Sequence, residues 1–309
     1  MIRKRLRVGT RGSLLARRQT SWVVGKIKEA YPDLEIEEVI ISTRGDQDTA
    51  TPLPKIGEKG LFTRALEEAL LSGEIDFAVH SLKDLPTDIP PGLALGGIPG
   101  RANPLDALVT CGERLGLQEL PPGFRVGTSS LRRAAQLRSQ RPDLAIAEIR
   151  GNLDTRLRKL REGVVDAVVV AAAGLERMGW DDLPYALLPP EVCLPAPGQG
   201  ALAVEIREGD PLLQEICKRV LDDLRTRQAV TAERAFLEAL GGGCQVPLGA
   251  YGVVENGRLE LSGIVISRDG KRFARGIYIG DPGAPREAGF ALAKSLLEKG
   301  AEEILADES

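Results

Sequence analysis

The sequence predicts an α/β fold: two duplicated α/β domains flanking a cleft, then a smaller α+β C-terminal domain with a three-stranded antiparallel sheet. Three observations carry that prediction. Short apolar runs alternate with helix-like stretches over the first two thirds of the chain. Landmarks from the first hundred residues return in the same order in the second hundred. Beyond residue 225 the alternation gives way to two-residue hairpin signals.

A strand over 6–9 leads into Thr10-Arg11-Gly12-Ser13 and a helix over 14–30. A second strand over 34–41 stops at Ser42-Thr43-Arg44-Gly45-Asp46. A polar loop carrying Lys55, Gly57, Lys59 and Gly60 precedes an amphipathic helix over 62–71, which Gly73 ends. The strand over 75–80 then delivers Ser81-Leu82-Lys83-Asp84-Leu85-Pro86.

The second half repeats this plan. Val126-Gly127-Thr128-Ser129-Ser130-Leu131 matches Val8-Gly9-Thr10-Arg11-Gly12-Ser13-Leu14 with one residue fewer. Arg150-Gly151, after a strand over 144–149, echoes Arg44-Gly45, and Gly163-x-x-Asp166, opening a strand over 167–170, echoes Gly73-x-x-Asp76. Pro99 to Pro104 and Leu194 to Gly200 read as connectors, and a strand over 201–207 returns to the first sheet. The domains expected are therefore 1–99 with 200–220, then 105–194, then 225–309. The last opens with a helix over 231–240, ends it in Gly241-Gly242-Gly243-Cys244-Gln245-Val246-Pro247, and continues as a meander over 250–279 and a covering helix over 286–299.

Composition narrows the function. The chain is 43% hydrophobic and 28% charged, as in a soluble globular protein. No apolar run approaches a membrane span, and Met1-Ile2-Arg3-Lys4-Arg5 runs into a short strand instead of a signal core, so a cytoplasmic location and no membrane partner are expected. Four scattered cysteines and the single His80 argue against a metal site and a disulfide framework. An aromatic content of 4% argues against a nucleic-acid platform. The net charge of −3 hides a local excess: ten basic residues from Arg125 to Arg161 face only Asp143, Glu148 and Asp154. Either this is a solvated helix face or an anionic ligand binds there.

Specific residues sharpen the second reading. Thr128, Ser129 and Ser130 open a helix whose first-turn N–H groups form an anion site, with Arg132 and Arg133 just behind; ordinary N-capping is the plain alternative. Arg11, Arg150 and Arg156 add forked donors, and Lys55, Lys59 and Lys83 add point charges. Asp84, at a strand end beside Lys83, is suited to stabilising a cation and moving protons, or simply caps the turn before Pro86. Cys244 is either a thiol presented by a permissive glycine loop or a small apolar residue. No Walker lysine motif, dinucleotide fingerprint or metal carboxylate pair is present.

Together, Val8-Gly9-Thr10-Arg11, Ser42 to Asp46, Lys59-Gly60-Leu61-Phe62, Ala78 to Asp84, Val126 to Arg133, Arg150-Gly151-Asn152, Pro197 to Gly200 and Gly242 to Pro247 resemble the porphobilinogen deaminase (hydroxymethylbilane synthase) family from about residue 6 to the end. The resemblance implies a transferase that joins four porphobilinogen units, releasing ammonia, into linear hydroxymethylbilane. It implies a dipyrromethane cofactor on a thioether at Cys244 and a product that passes to uroporphyrinogen III synthase. It also implies a monomer. By the same likeness Arg11, Ser13, Lys83, Thr128, Ser129, Arg132, Arg133, Arg150 and Arg156 bind cofactor or substrate carboxylates. Gln19 and Ser81 line the same site, Phe62 packs on a pyrrole ring, Lys55 and Lys59 belong to a mobile loop, and Asp84 acts near the pyrrole nitrogens. Gly12 and Gly241 depart from the family pattern at loop positions, and His80 reads as structural. The competing reading, from the same periplasmic-binding-protein-like pair of lobes, is a binding protein for a small anion.

Overall fold

The computed structural model describes residues 5–43, 63–180, 182–241 and 247–308. The chain divides into two compact units, Met1–Ala102 with Ala201–Arg227, and Asn103–Gly200 with Gln228–Ser309. In chain order the first stretch holds β1 (Arg5–Thr10), α1 (Leu14–Ala30), β2 (Glu35–Ile40), α2 (Arg64–Leu71), β3 (Phe77–Ser81) and β4 (Leu93–Gly97). The next holds β5 (Asp106–Thr110), β6 (Arg125–Gly127), α3 (Leu131–Gln140), β7 (Ala145–Ala147), α4 (Leu153–Arg161), β8 (Ala167–Ala171), α5 (Ala172–Met178) and β9 (Tyr185–Leu188). Then come β10 (Leu202–Arg207), α6 (Pro211–Ile216), α7 (Leu224–Ala239), β11 (Leu248–Glu255), β12 (Arg258–Ile266), β13 (Phe273–Gly280), α8 (Pro285–Leu296) and α9 (Glu302–Glu308).

The duplication seen in the sequence is a duplication of topology. The first sheet runs β2-β1-β3-β10-β4 and the second β7-β6-β8-β5-β9. In each, the first three strands are parallel and the fourth is antiparallel to its neighbours. The fourth strand is the one supplied from across the repeat: β10 in the first sheet, β5 in the second. The returning strand pairs from Leu202 opposite Ser81 to Ile206 opposite Phe77.

The repeated Val-Gly-Thr has a steric cause. A Cβ on Gly9 would fall 2.3 Å from Ile75 Cδ1, and one on Gly127 2.6 Å from Ile149 Cδ1, so each strand presses its backbone onto a core side chain. The first core joins Leu6, Val8, Phe77, Val204 and Ile206 to Val23 and Ile27 of α1. In the second unit one core joins Ile149, Leu157, Val168 and Val170.

The C-terminal meander has its own core, in which Phe236 of α7 and Leu292 and Leu296 of α8 cover Leu259, Leu261 and Val265. Glu255 pairs with Arg258 across Asn256-Gly257, whose φ values of 51° and 71° give the two-residue turn that matches strand twist. Helix α7 begins earlier than the Ala/Leu/Glu-rich stretch suggests, because the Asp223 carboxylate accepts the Thr226 N–H at 2.7 Å and caps a longer helix. After α8 the chain turns at Gly300, φ 95°, before α9.

Candidate functional site

In the first unit, the predicted residues collect where β1 and β3 end. Ser13 is the N-cap of α1 and accepts the Ala16 N–H at 3.3 Å, so capping uses its hydroxyl as an acceptor and leaves the O–H to donate. Gln19, buried on α1, donates through Nε2 to Ser81 Oγ at 3.0 Å. Leu82–Asp84 form one 3₁₀ turn after β3, burying Leu82 and exposing Lys83 and Asp84. Arg11 is half-buried at the end of β1. This carboxyl edge of parallel strands is where α/β sheets offer functional side chains. His80 faces the other way: its Nε2 lies 3.0 Å from Glu205 Oε2, and both side chains are buried. A surface cavity of about 340 Å³ lined by Arg5, Arg7, Glu37 and Asp76 lies at the opposite end of β1, its charges already paired.

In the second unit, the helix openings of α3 and α4 are tied together. Ser130 caps α3 by accepting the Arg133 N–H, while its own N–H donates to Thr128 Oγ1 at 3.1 Å. Thr128 is thereby committed inside the turn and is buried, whereas Ser129 stays half-open. Asn152 caps α4, accepting the Thr155 N–H at 3.1 Å. Arg156 joins the two: Nε donates to Gly151 O at 2.9 Å and Nη2 to Ser129 Oγ at 3.3 Å. Arg150 is half-buried, and its Nη1 is buried with no hydrogen-bond partner among the described residues. A buried guanidinium N–H without an acceptor is costly, and an anion is the acceptor it suits best.

Arg132 and Arg133 depart from the expectation of two open cations behind the turn. Both are buried, 6% and 5% exposed, and both grip Asp106. Arg133 is the more engaged of the two: Nε and Nη2 donate to Asp106 Oδ1 at 2.9 and 2.7 Å, Nη2 also to Gln199 Oε1, and Nη1 to Val169 O at 3.1 Å. Its role is largely internal, because four of its five N–H groups are spent and only one, on Nη1, is left for a ligand. Arg132 is held by Nη1 alone, which donates to Asp106 Oδ2 at 2.7 Å, Leu194 O at 2.6 Å and Cys193 Sγ at 3.4 Å. Burial alone would raise the Asp106 pKa, but the charges and hydrogen bonds of the two arginines outweigh it and hold the carboxyl well below its usual range.

Sequence reading passed over Arg177, on α5. Burial pushes its pKa down to about 10, with Glu176 opposing, and Nη2 donates to Gly200 O at 2.7 Å. A lone arginine inside Gly-Leu-Glu-Arg-Met carries no motif; only its burial, with no carboxylate hydrogen-bonded to it among the described residues, marks it. Of the cysteines, burial pushes the Cys193 and Cys217 thiols up to about 12, while Cys111 is exposed. Lys55, Lys59, Phe62 and Cys244 lie outside the described residues. Among the described residues no cluster could hold a metal ion, and no helix is long and apolar enough to cross a membrane.

What these two groups can do chemically is bind carboxylates, in the second unit through Ser129, Arg132, Arg150 and Arg156, and offer one exposed carboxylate, Asp84, in the first. Residues 6–215 match the family model described as "Porphobilinogen deaminase, dipyromethane cofactor binding domain", and residues 227–298 match "Porphobilinogen deaminase, C-terminal domain". The chain is 51% identical over 306 residues to the porphobilinogen deaminase of Pelotomaculum thermopropionicum, covering 98% of this chain and 97% of that one. It is 48% identical over 305 residues to that of Roseiflexus castenholzii, with 99% and 100% covered. Among solved structures, the Bordetella pertussis BvgS periplasmic VFT2 domain is similar at 14% identity and a TM-score of 0.40, over 69% of this chain and 85% of that one. That likeness is too slight to support an argument.

Proposed function

The chain belongs to the porphobilinogen deaminase family, and from that premise we propose that it joins four porphobilinogen molecules head to tail, releasing ammonia at each addition, into linear hydroxymethylbilane. The observation that carries this reading is Arg150 Nη1, a buried guanidinium nitrogen with no hydrogen-bond partner among the described residues, in the same unit as Arg132 and Arg156. Porphobilinogen brings an acetate and a propionate, the anions such donors take best. The donor set also fits a dipyrromethane, which when bound through a thioether to Cys244 supplies the pyrrole end to which units are added. Cys244 is the better attachment point than Cys193 or Cys217, whose buried thiols stay protonated.

The residues divide the work by type. Arg132, Arg150, Arg156 and Ser129 hold carboxylates in the second unit; Arg11, Lys83 and Ser13 do so in the first, beside Gln19 and Ser81. Thr128 and Arg133, both buried, support the turn and keep only a hydroxyl proton and one Nη1 N–H for the same carboxylates. Phe62 packs against a pyrrole ring, and Lys55 and Lys59 belong to the loop near it. At each addition a C–N bond of the incoming porphobilinogen breaks, ammonia leaves, a C–C bond forms, and the attacking α-carbon sheds a proton. Asp84 favours the cation left by ammonia loss, accepts hydrogen bonds from pyrrole N–H groups and takes part in moving that proton. The protein works as a cytoplasmic monomer and passes its product to uroporphyrinogen III synthase.

Two measurements test this. Incubation with porphobilinogen should yield a linear tetrapyrrole that cyclises spontaneously to uroporphyrinogen, and intact mass should exceed the sequence mass by two linked pyrrole units, an excess absent in Cys244→Ser. A chain that binds porphobilinogen without turnover and carries no added mass is a binding protein instead.

A further inference from the structure

The interior of the second unit holds two guanidinium groups against one carboxylate. Arg132 and Arg133 both hydrogen-bond Asp106, and the other groups that face them, Leu194 O, Val169 O, Gln199 and the Cys193 thiol, carry no charge. The cluster therefore has one positive charge more than its partners neutralise, in a place where water does little to screen it. That imbalance calls for an anion.

The geometry indicates which nitrogen atoms would meet it. Arg133 has spent four of its five N–H groups, with Nε and Nη2 both fully engaged. Arg132 has spent only Nη1, and its Nε and Nη2 make no hydrogen bond among the described residues. That pair forms the side of the guanidinium fork which takes a carboxylate by two parallel bonds. Asp106 is itself fixed: it stands at the start of β5, paired between Ala171 and Leu188, and Gln199 Nε2 donates to its Oδ1 at 2.9 Å while also donating to Pro104 O at 2.8 Å.

We infer that Asp106 is a positioning residue for anion binding: it locks Arg133 inside and holds Arg132 by one nitrogen, so that the Nε–Nη2 edge of Arg132 is set for a ligand carboxylate. An arginine tethered in this way loses less freedom when its ligand arrives than one free to swing. The inference rests on the proposed function for the identity of the ligand, a pyrrole carboxylate, and not for the geometry.

The test is kinetic and by mass. Asp106→Asn and Asp106→Glu are compared with the natural enzyme for KM and kcat with porphobilinogen. Apoprotein of each is also incubated with porphobilinogen for a fixed time, and the fraction gaining the mass of two linked pyrroles is read. The expected result for the Asn variant is a KM raised about tenfold or more, kcat changed far less, and slower gain of mass. The Glu variant, which keeps the charge but moves it by one methylene, should fall between. A folded Asn variant with unchanged KM and unchanged mass gain overturns the inference; if Asn does not fold, a Glu variant with unchanged KM overturns it. An inactive natural enzyme would instead sink the proposed function, so the two failures are distinct.

Discussion

The Asp76 carboxylate accepts the main-chain N–H of Arg7 at 2.8 Å, pinning the start of β3 to the strand beside it. The second unit repeats the bond, with Asp166 accepting the Arg125 N–H at 2.9 Å. In both, the arginine side chain also reaches the glycine of the Gly-x-x-Asp landmark, Arg7 Nη2 to Gly73 O and Arg125 Nη2 to Gly163 O. The recurrent glycine and aspartate thus serve one joint, made twice. Asp76 is buried and also takes Arg207 Nη2 at 3.1 Å. Asp76→Asn should therefore cost about 1–3 kcal/mol in urea unfolding, and Asp166→Asn less, because the Asp166 side chain is 29% exposed where that of Asp76 is 6%. Equal losses in the two variants would contradict this.

That joint also marks what the sequence can and cannot disclose. Gly73-x-x-Asp76 and Gly163-x-x-Asp166 are visible as a repeat, yet their purpose is not, since the partner arginine lies 69 residues from Asp76. Arg132 and Arg133 read as open cations for the same reason: a helix opening with small hydroxyl residues advertises an anion site, but Asp106 lies 26 residues upstream of Arg132. The helix itself was easier, because α1 follows its cap and its apolar period closely, giving Leu14–Ala30 as predicted, while Ser13 and Gln19 entered the site only through the family resemblance. Arg150 was legible as a donor, but only the fold reveals that one of its nitrogen atoms has no acceptor.

Asp84 offers a separation of activity from stability. Its side chain is exposed on a 3₁₀ turn whose one buried anchor is Leu82, so removing the carboxylate leaves the packing intact. Asp84→Ala should lower kcat by about 10²–10³-fold while its melting temperature stays within a few degrees of the natural enzyme. A variant with normal turnover on an intact primer removes Asp84 from the chemistry.

The thiols make a second check on the site. Nucleophilic reaction needs the thiolate, and burial, aided by Asp106 at Cys193 and Asp222 at Cys217, pushes both thiols up to about 12. Brief treatment of the folded protein with iodoacetamide near pH 8, followed by peptide mapping, should label exposed Cys111 and spare Cys193 and Cys217 until denaturant is added. Labelling of Cys193 at the rate of Cys111 would show that this interior is open.

Glu67 sets a pH dependence of opposite sign to that of Asp106. Burial raises its pKa, and nearby Glu205 adds to the rise, while Thr63, His80 and Arg64 oppose it. A carboxyl whose native pKa lies above its unfolded value contributes stability that is complete below about pH 4.3 and is lost as pH rises through the native value. Asp106, shifted the other way, contributes stability above the ordinary aspartate range and loses it in acid. Glu67→Gln removes the first dependence with little change of shape. Measured by urea unfolding, the variant should gain on the natural protein as pH rises from 4 to 8, because the natural protein must then ionise a buried acid beside Glu205. A stability difference that does not vary with pH over that interval would mean that Glu67 titrates as it does in the unfolded chain.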